Sequence, residues 1–170
     1  MCRKFGKVWY TPRKVDCKYR GGMMARLLKS SFGIGINLDG NVGSNGGNGR
    51  SDVGTLQFAM LLLSSGQQTP MGNQGGGALS VPGQGTIAVD GYYGPQTAAY
   101  IAAYQAMRVK SPGPSGGALP TPNGNFGNFR SNGWNFGLLQ RDVETTTGNF
   151  LEKVKTDTRC PPFVRQSFFE

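Results

Sequence analysis

The stretch VDGYYGPQTAAYIAAYQ, residues 89–105, carries the strongest pattern in the chain. Asp90-Gly91 reads as one tight turn and Gly94 as a second, because glycine accepts backbone angles that other residues avoid. Pro95 then stands at a first helical position, where its missing N–H is no loss and its φ is already helical. From Thr97 to Met107 the spacing is helical: Ala98, Ile101, Ala102 and Gln105 share one side, with Tyr100 and Tyr104 beside it. Such a face needs a partner, and the candidate lies upstream.

In SDVGTLQFAMLLLSSG, residues 51–66, Val53, Leu56, Met60 and Leu63 form one helical stripe that Leu61 and Leu62 widen. Asp52 is the expected N-cap, its carboxylate accepting free N–H groups of the first turn, and Gly66 the expected stop. The turns at 90–94 are expected to aim the second helix back onto the first. Leu56, Met60 and Leu63 would then pack on Ala98, Ile101 and Ala102.

The surroundings are less regular. There are 28 Gly among 170 residues, more than double the usual share of about 7%, which predicts a modest core with long irregular arms. GMMARLLKSS, residues 22–31, is compatible with a short helix, and residues 32–51 with extended chain and turns. Residues 67–86 and 111–137 read as loops. GGALPTPNG at 116–124 echoes GGALSVPG at 76–83, as a duplication or as drift in simple sequence. Phe126, Phe129, Trp134 and Phe136 punctuate the second loop and would pin it to a surface. Residues 135–158 hold one or two short helices. The tail RCPPFVRQSFFE, residues 159–170, reads as extended, with Phe163, Phe168 and Phe169 in need of burial.

Charge is segregated. Residues 1–29 carry nine Lys and Arg against Asp16, a net +8, whereas the rest carries nine against eight, a net +1. Arg3, Lys4, Lys7, Arg13, Lys14, Lys18 and Arg20 therefore define a basic arm suited to phosphate, anionic lipid or an acidic protein surface. Phe5, Trp9, Tyr10 and Tyr19 could stack on bases, so two readings stand: a docking tail and a nucleic-acid-binding arm.

The sequence argues against an enzyme. It has no His, which removes Ser-His-Asp, Cys-His and His-based acid-base mechanisms. Glu144, Glu152 and Glu170 are the only glutamates and form no evident pair around a cleft; Asp39, Asp52 and Asp90 occupy cap or turn positions. No phosphate-cradling glycine motif occurs. Cys2, Cys17 and Cys160 lack metal-ligand spacing and are expected to be inert thiols. No cofactor and no metal are expected. The basic N-terminus lacks a following apolar segment, and no run approaches a membrane span, so synthesis and assembly in a cytoplasm are expected.

Val53, Leu56-Gln57, Asp90-Gly91, Tyr93-Gly94, Thr97 and Tyr104-Gln105, with the lead-in NVGSNGGNGRSDV, resemble the peptidoglycan-binding-like domain over residues 41–107. That family is a small three-helix module of bacterial wall enzymes and phage lysins. The connection at 67–88 is longer than the family pattern, and the third helix is expected within residues 134–145 or 150–155. The resemblance implies a mainly α protein: a basic arm over 1–40, a peptidoglycan-binding-like helical core over 41–110, and a Gly- and aromatic-rich extension over 111–170 that supplies the third helix. It also implies peptidoglycan as a ligand, with Tyr92, Gln96 and Gln105 as the contact residues. Gln57 and Gln105 have two available roles, satisfying nearby backbone groups or gripping sugar and peptide. The function expected first is a non-enzymatic structural component of a large assembly such as a phage virion, its partners being other subunits, including copies of itself. Peptidoglycan targeting and nucleic-acid binding through the arm are the alternatives.

Overall fold

From Asp52 to Leu63 every residue of the first long helix is buried, so the chain is organised around this segment. The structure, a computed structural model, describes residues 26–30, 33–65, 79–110, 122–127 and 134–169. Among them are β1 (Arg26–Ser30), β2 (Gly33–Asn37), β3 (Val42–Gly43), α1 (Arg50–Ser65), α2 (Pro95–Lys110), β4 (Asn125–Phe126), α3 (Trp134–Thr147), α4 (Phe150–Thr156) and α5 (Pro162–Phe169). The fold is mainly α.

A helix buried on all sides cannot be the one-striped element that its spacing predicts. The apolar stripe of Val53, Leu56, Met60 and Leu63 is present, but Thr55, Gln57, Phe58 and Ala59 on the other faces are covered too. The helix closest to α1 is α3, followed by α5. The close approach of α2 expected from the stripe is therefore replaced by α3, which comes from the region expected to be an extension. On α2, Tyr100, Ile101 and Tyr104 are buried and Ala102 faces solvent. Ala102 therefore lies on the outer face of α2, and Tyr100, Ile101 and Tyr104 supply its buried face.

Phe58 on α1, Phe150 at the start of α4 and Phe136 on α3 form an aromatic row, with centroids 6.1 and 6.5 Å apart. Burying each such large side chain is worth about 1.5–3 kcal/mol. Gly148, at a φ of 89°, separates α3 from α4; Asn149 then caps α4, its Oδ1 accepting the Glu152 N–H at 3.0 Å.

Two antiparallel ribbons flank the helices. The β1–β2 pair runs from Arg26↔Asn37 to Ser30↔Gly33, so residues 26–30 are strand where a short helix was expected. In a second ribbon β3 pairs with β4, Val42 opposite Phe126, and the Phe126 ring packs beside Tyr104 at 5.8 Å. The region 111–137 is thus not loop throughout, since it contains β4 and the start of α3. The tail is not extended either. Pro162 opens α5 at a favoured first position, Val164 is buried in the core, and Phe163 and Phe168 pack against it.

Asp52 is not the N-cap of α1. It lies inside the first turn, and its carboxylate accepts the Asp39 N–H at 3.0 Å and the Gly40 N–H at 2.9 Å. It therefore stitches the turn after β2 to α1. Burial pushes its carboxyl above the usual range, opposed by those two N–H groups. Gly66 lies outside the described residues, as do both copies of the GGAL segment apart from Leu79–Gly83 and Pro122–Gly124.

Candidate functional site

The residues expected to grip a ligand are Tyr92, Gln96 and Gln105. A side-chain amide carries one acceptor and an NH2 donor, so it can replace a peptide group and pair with both halves of an exposed backbone edge. Gln96 does this for the loop before α2: its Oε1 accepts the Ala88 N–H at 3.1 Å and its Nε2 donates to the Thr86 carbonyl at 3.3 Å. Gln105 does it for β4, accepting the Gly124 N–H and donating to the Asn125 carbonyl, both at 3.0 Å. Nine residues along a helix also separate Gln96 from Gln105 by about 13 Å. Both amides are committed to the chain itself, and they do not converge on one point.

Gln57 makes the same kind of bond from the centre of α1. Its Oε1 accepts the Gly91 N–H at 2.8 Å, while Nε2 lies 2.9 Å from Asp90 Oδ1, 3.0 Å from the Tyr92 carbonyl and 3.0 Å from Thr97 Oγ1. Gln140 on α3 repeats the pattern in part, accepting the Ile36 N–H of β2 at 3.0 Å and donating to Glu144 at 2.9 Å. Four glutamines thus tether loop or strand backbone to helices. Of the two roles open to Gln57 and Gln105, the geometry displays the backbone one, and the partners are distant in sequence.

Tyr92 is different. Its backbone is held by Asp90 and Gln57, yet the residue is 65% exposed. The guanidinium of Arg50 sits 5.5 Å from its ring centroid and 4.7 Å from that of Phe163 on α5. Gly91, at a φ of 77°, lets these groups close up, because a Cβ there would strike the Arg50 stem and backbone and the Phe163 ring. Asp90 faces the same surface. The Tyr92 N–H is the main cause that holds its carboxyl below the usual range, with Gln57 and Arg50 adding to the effect. Sequence reading passed over Arg50 and marked Phe163 only for burial, since only the fold joins them to Tyr92.

A second polar cluster joins α2 to α3. Tyr104 donates its O–H to Asp142 Oδ2 at 2.7 Å, and Arg108 pairs with Asp142 Oδ1 at 2.7 Å. Burial raises both the tyrosine hydroxyl and the Asp142 carboxyl. The three groups satisfy one another and act as a cross-brace. Cys160 is a buried free thiol, pushed up by burial to about 11, which disfavours the reactive thiolate.

Among the described residues no group of three His, Cys, Asp or Glu could hold a metal ion, and no helix is long and apolar enough to cross a membrane. Arg3, Lys4, Lys7, Arg13, Lys14, Lys18 and Arg20 lie outside the described residues, as do Cys2 and Cys17. Comparison with protein-family models, curated proteins and solved structures finds no match to this chain.

Proposed function

We propose that this chain is a non-enzymatic structural component of a large assembly, a phage virion being the first candidate. In this reading it is built on a three-helix peptidoglycan-binding-like core that carries long irregular arms. The observation that carries the reading is how the helices spend their polar side chains. Gln57 and Gln96 hold loop backbone against a helix, and Gln105 and Gln140 do the same for strand edges, which suits a scaffold that displays non-helical segments. The charge distribution supports it: a body of net +1 attached to a segment of net +8 suits docking onto an acidic neighbour. Sedimentation of the nuclease-treated, purified chain tests the proposal. Association that grows with concentration is expected, and a single folded 18.2 kDa species at every concentration counts against it.

A second reading, contact with peptidoglycan, is favoured by one observation. Tyr92 is the only member of the expected ligand trio whose side chain is left open. Retention on purified sacculi tests it, with loss on Tyr92→Ala expected and full retention by that variant clearing Tyr92 of the role.

A further inference from the structure

A backbone is chemically weak where Asn or Asp precedes glycine. The glycine nitrogen can attack the side-chain carbonyl carbon before it, because glycine has no Cβ to hinder the approach. A C–N bond forms and the side-chain amide leaves as ammonia, taking the nitrogen's proton. Water then opens the cyclic imide to aspartate or isoaspartate. An aspartate loses water in place of ammonia and reopens in the same way. Of the Asn-Gly and Asp-Gly links in the sequence, only Asn132-Gly133 lies outside the described residues.

At each described link, an atom that must react is engaged elsewhere. The Gly40 N–H donates to Asp52 Oδ2 at 2.9 Å and the Gly46 N–H to the Gly43 carbonyl at 3.0 Å. The Gly91 N–H donates to Gln57 Oε1 at 2.8 Å and the Gly124 N–H to Gln105 Oε1 at 3.0 Å. At Asn48-Gly49 the side-chain amide is held: Oδ1 accepts the Gly43 N–H at 2.9 Å, and Nδ2 donates to the Gly43 and Gly46 carbonyls. A hydrogen bond keeps the proton on the glycine nitrogen and aims the N–H at an acceptor, away from the reaction. Burial does not supply this protection, since Asn45, Asp90 and Asn123 are exposed to the water that the reaction needs.

At two links the acceptor is a glutamine from a distant part of the chain, and the reacting side chain is tied as well. Asp90 Oδ1 accepts the Tyr92 N–H at 2.9 Å and Asn123 Oδ1 accepts the Asn125 N–H at 3.0 Å. We propose that Asp90-Gly91 and Asn123-Gly124 are latent isoaspartate-forming sites, kept closed by Gln57 and Gln105 respectively. The two amides are then chemical guards as well as tethers, and loss of either lets its own link age. This guarding does not depend on what the chain assembles with or binds.

Prolonged incubation of the full-length native chain at mildly alkaline pH, read by peptide mass analysis and isoaspartate-specific methylation, is the test. Gln105→Leu should convert Asn123 about tenfold faster than the parent chain does, the factor given by losing about one or two net hydrogen bonds. Asp90 should stay at its parent rate in that variant. Gln57→Leu should speed isoaspartate formation at Asp90 more than at Asn123. Gln96→Leu removes a similar pair of bonds that serve no such link and should change neither site. Parent-rate conversion of Asn123 in Gln105→Leu overturns the proposal, as does conversion in the native parent as fast as in urea. If Gln105→Leu accelerates all the links together, in step with faster amide exchange in α1, the protection belongs to the whole fold and the guards are refuted. An equal rise at both sites in Gln57→Leu removes Gln57 from the role.

Discussion

Gln57 stands in for a peptide group toward Gly91: its buried Oε1 accepts the Gly91 N–H at 2.8 Å across 34 residues of sequence. Its Nε2 meets the Tyr92 carbonyl at 3.0 Å, so one amide fixes both sides of the turn that aims Tyr92 outward.

Gln57→Leu keeps the volume and removes the amide. The Gly91 N–H would then lose its partner in a buried setting and the Tyr92 C=O would keep only the longer bond from Thr97 Oγ1 at 3.4 Å, at about 1–3 kcal/mol for an unsatisfied group. A total loss of about 2–4 kcal/mol is expected in urea unfolding. Gln105→Leu, which frees the Gly124 N–H and the Asn125 carbonyl near the surface, should cost less.

Gly54 and Gly91 make room for Phe163. A Cβ on Gly54 would meet the Phe163 ring edge and a Val164 methyl, whereas one on Gly83 would meet nothing. Gly54→Ala is expected to push α5 off α1 and cost about 1–3 kcal/mol by overpacking, partly offset by better helix propensity of about 1 kcal/mol. Faster amide exchange in residues 162–169 is the readout. Gly83→Ala meets only the strain of its φ of 75° and should leave α5 untouched.

The carboxylates should titrate in a fixed order. The carboxyl of Asp90 is held low and that of Asp52 raised, so carbon NMR should find Asp90 below and Asp52 above about 3.9. The linked stabilities have opposite signs. The Asp90 contribution is present above its unfolded pKa and is lost as pH falls through the lower folded value. The Asp52 contribution is full below its unfolded pKa and is lost as pH rises through the higher folded value. Asp90→Asn should therefore flatten the acid side of the stability profile, and the reverse order of titration would refute the assignment.

Much of the helical content was legible in the sequence, because α1 and α2 announce themselves through apolar spacing and through Pro95 at a helix start. What was not legible depended on distant partners. Asp52 has the chemistry of a cap, and only the position of residues 39–40 reveals that its carboxylate serves another turn. The helical nature of α5 was available from Pro162 and the Val164–Phe168 spacing, but two adjacent prolines mask that signal. Gln105 could be singled out as a polar residue on an apolar pattern, yet its partners lie 19 and 20 residues away. The contact between Arg50 and Phe163 joins residues more than a hundred positions apart and leaves no local trace.

Cys160 reports on the docking of α5. With its thiol buried and pushed up to about 11, it should react with a thiol reagent in a Cys2→Ser/Cys17→Ser background only when the chain opens. Labelling should accelerate in Gly54→Ala and run parallel to amide exchange in α5. Rapid labelling of the native protein would contradict the packing described.

In the proposed role the chain works in an assembled state. Gradient sedimentation of tagged, full-length protein from the cells that make it, after nuclease treatment, tests that claim most directly. The chain is expected to travel in particles many times its own mass. Recovery of the chain only as a free 18.2 kDa species would contradict it.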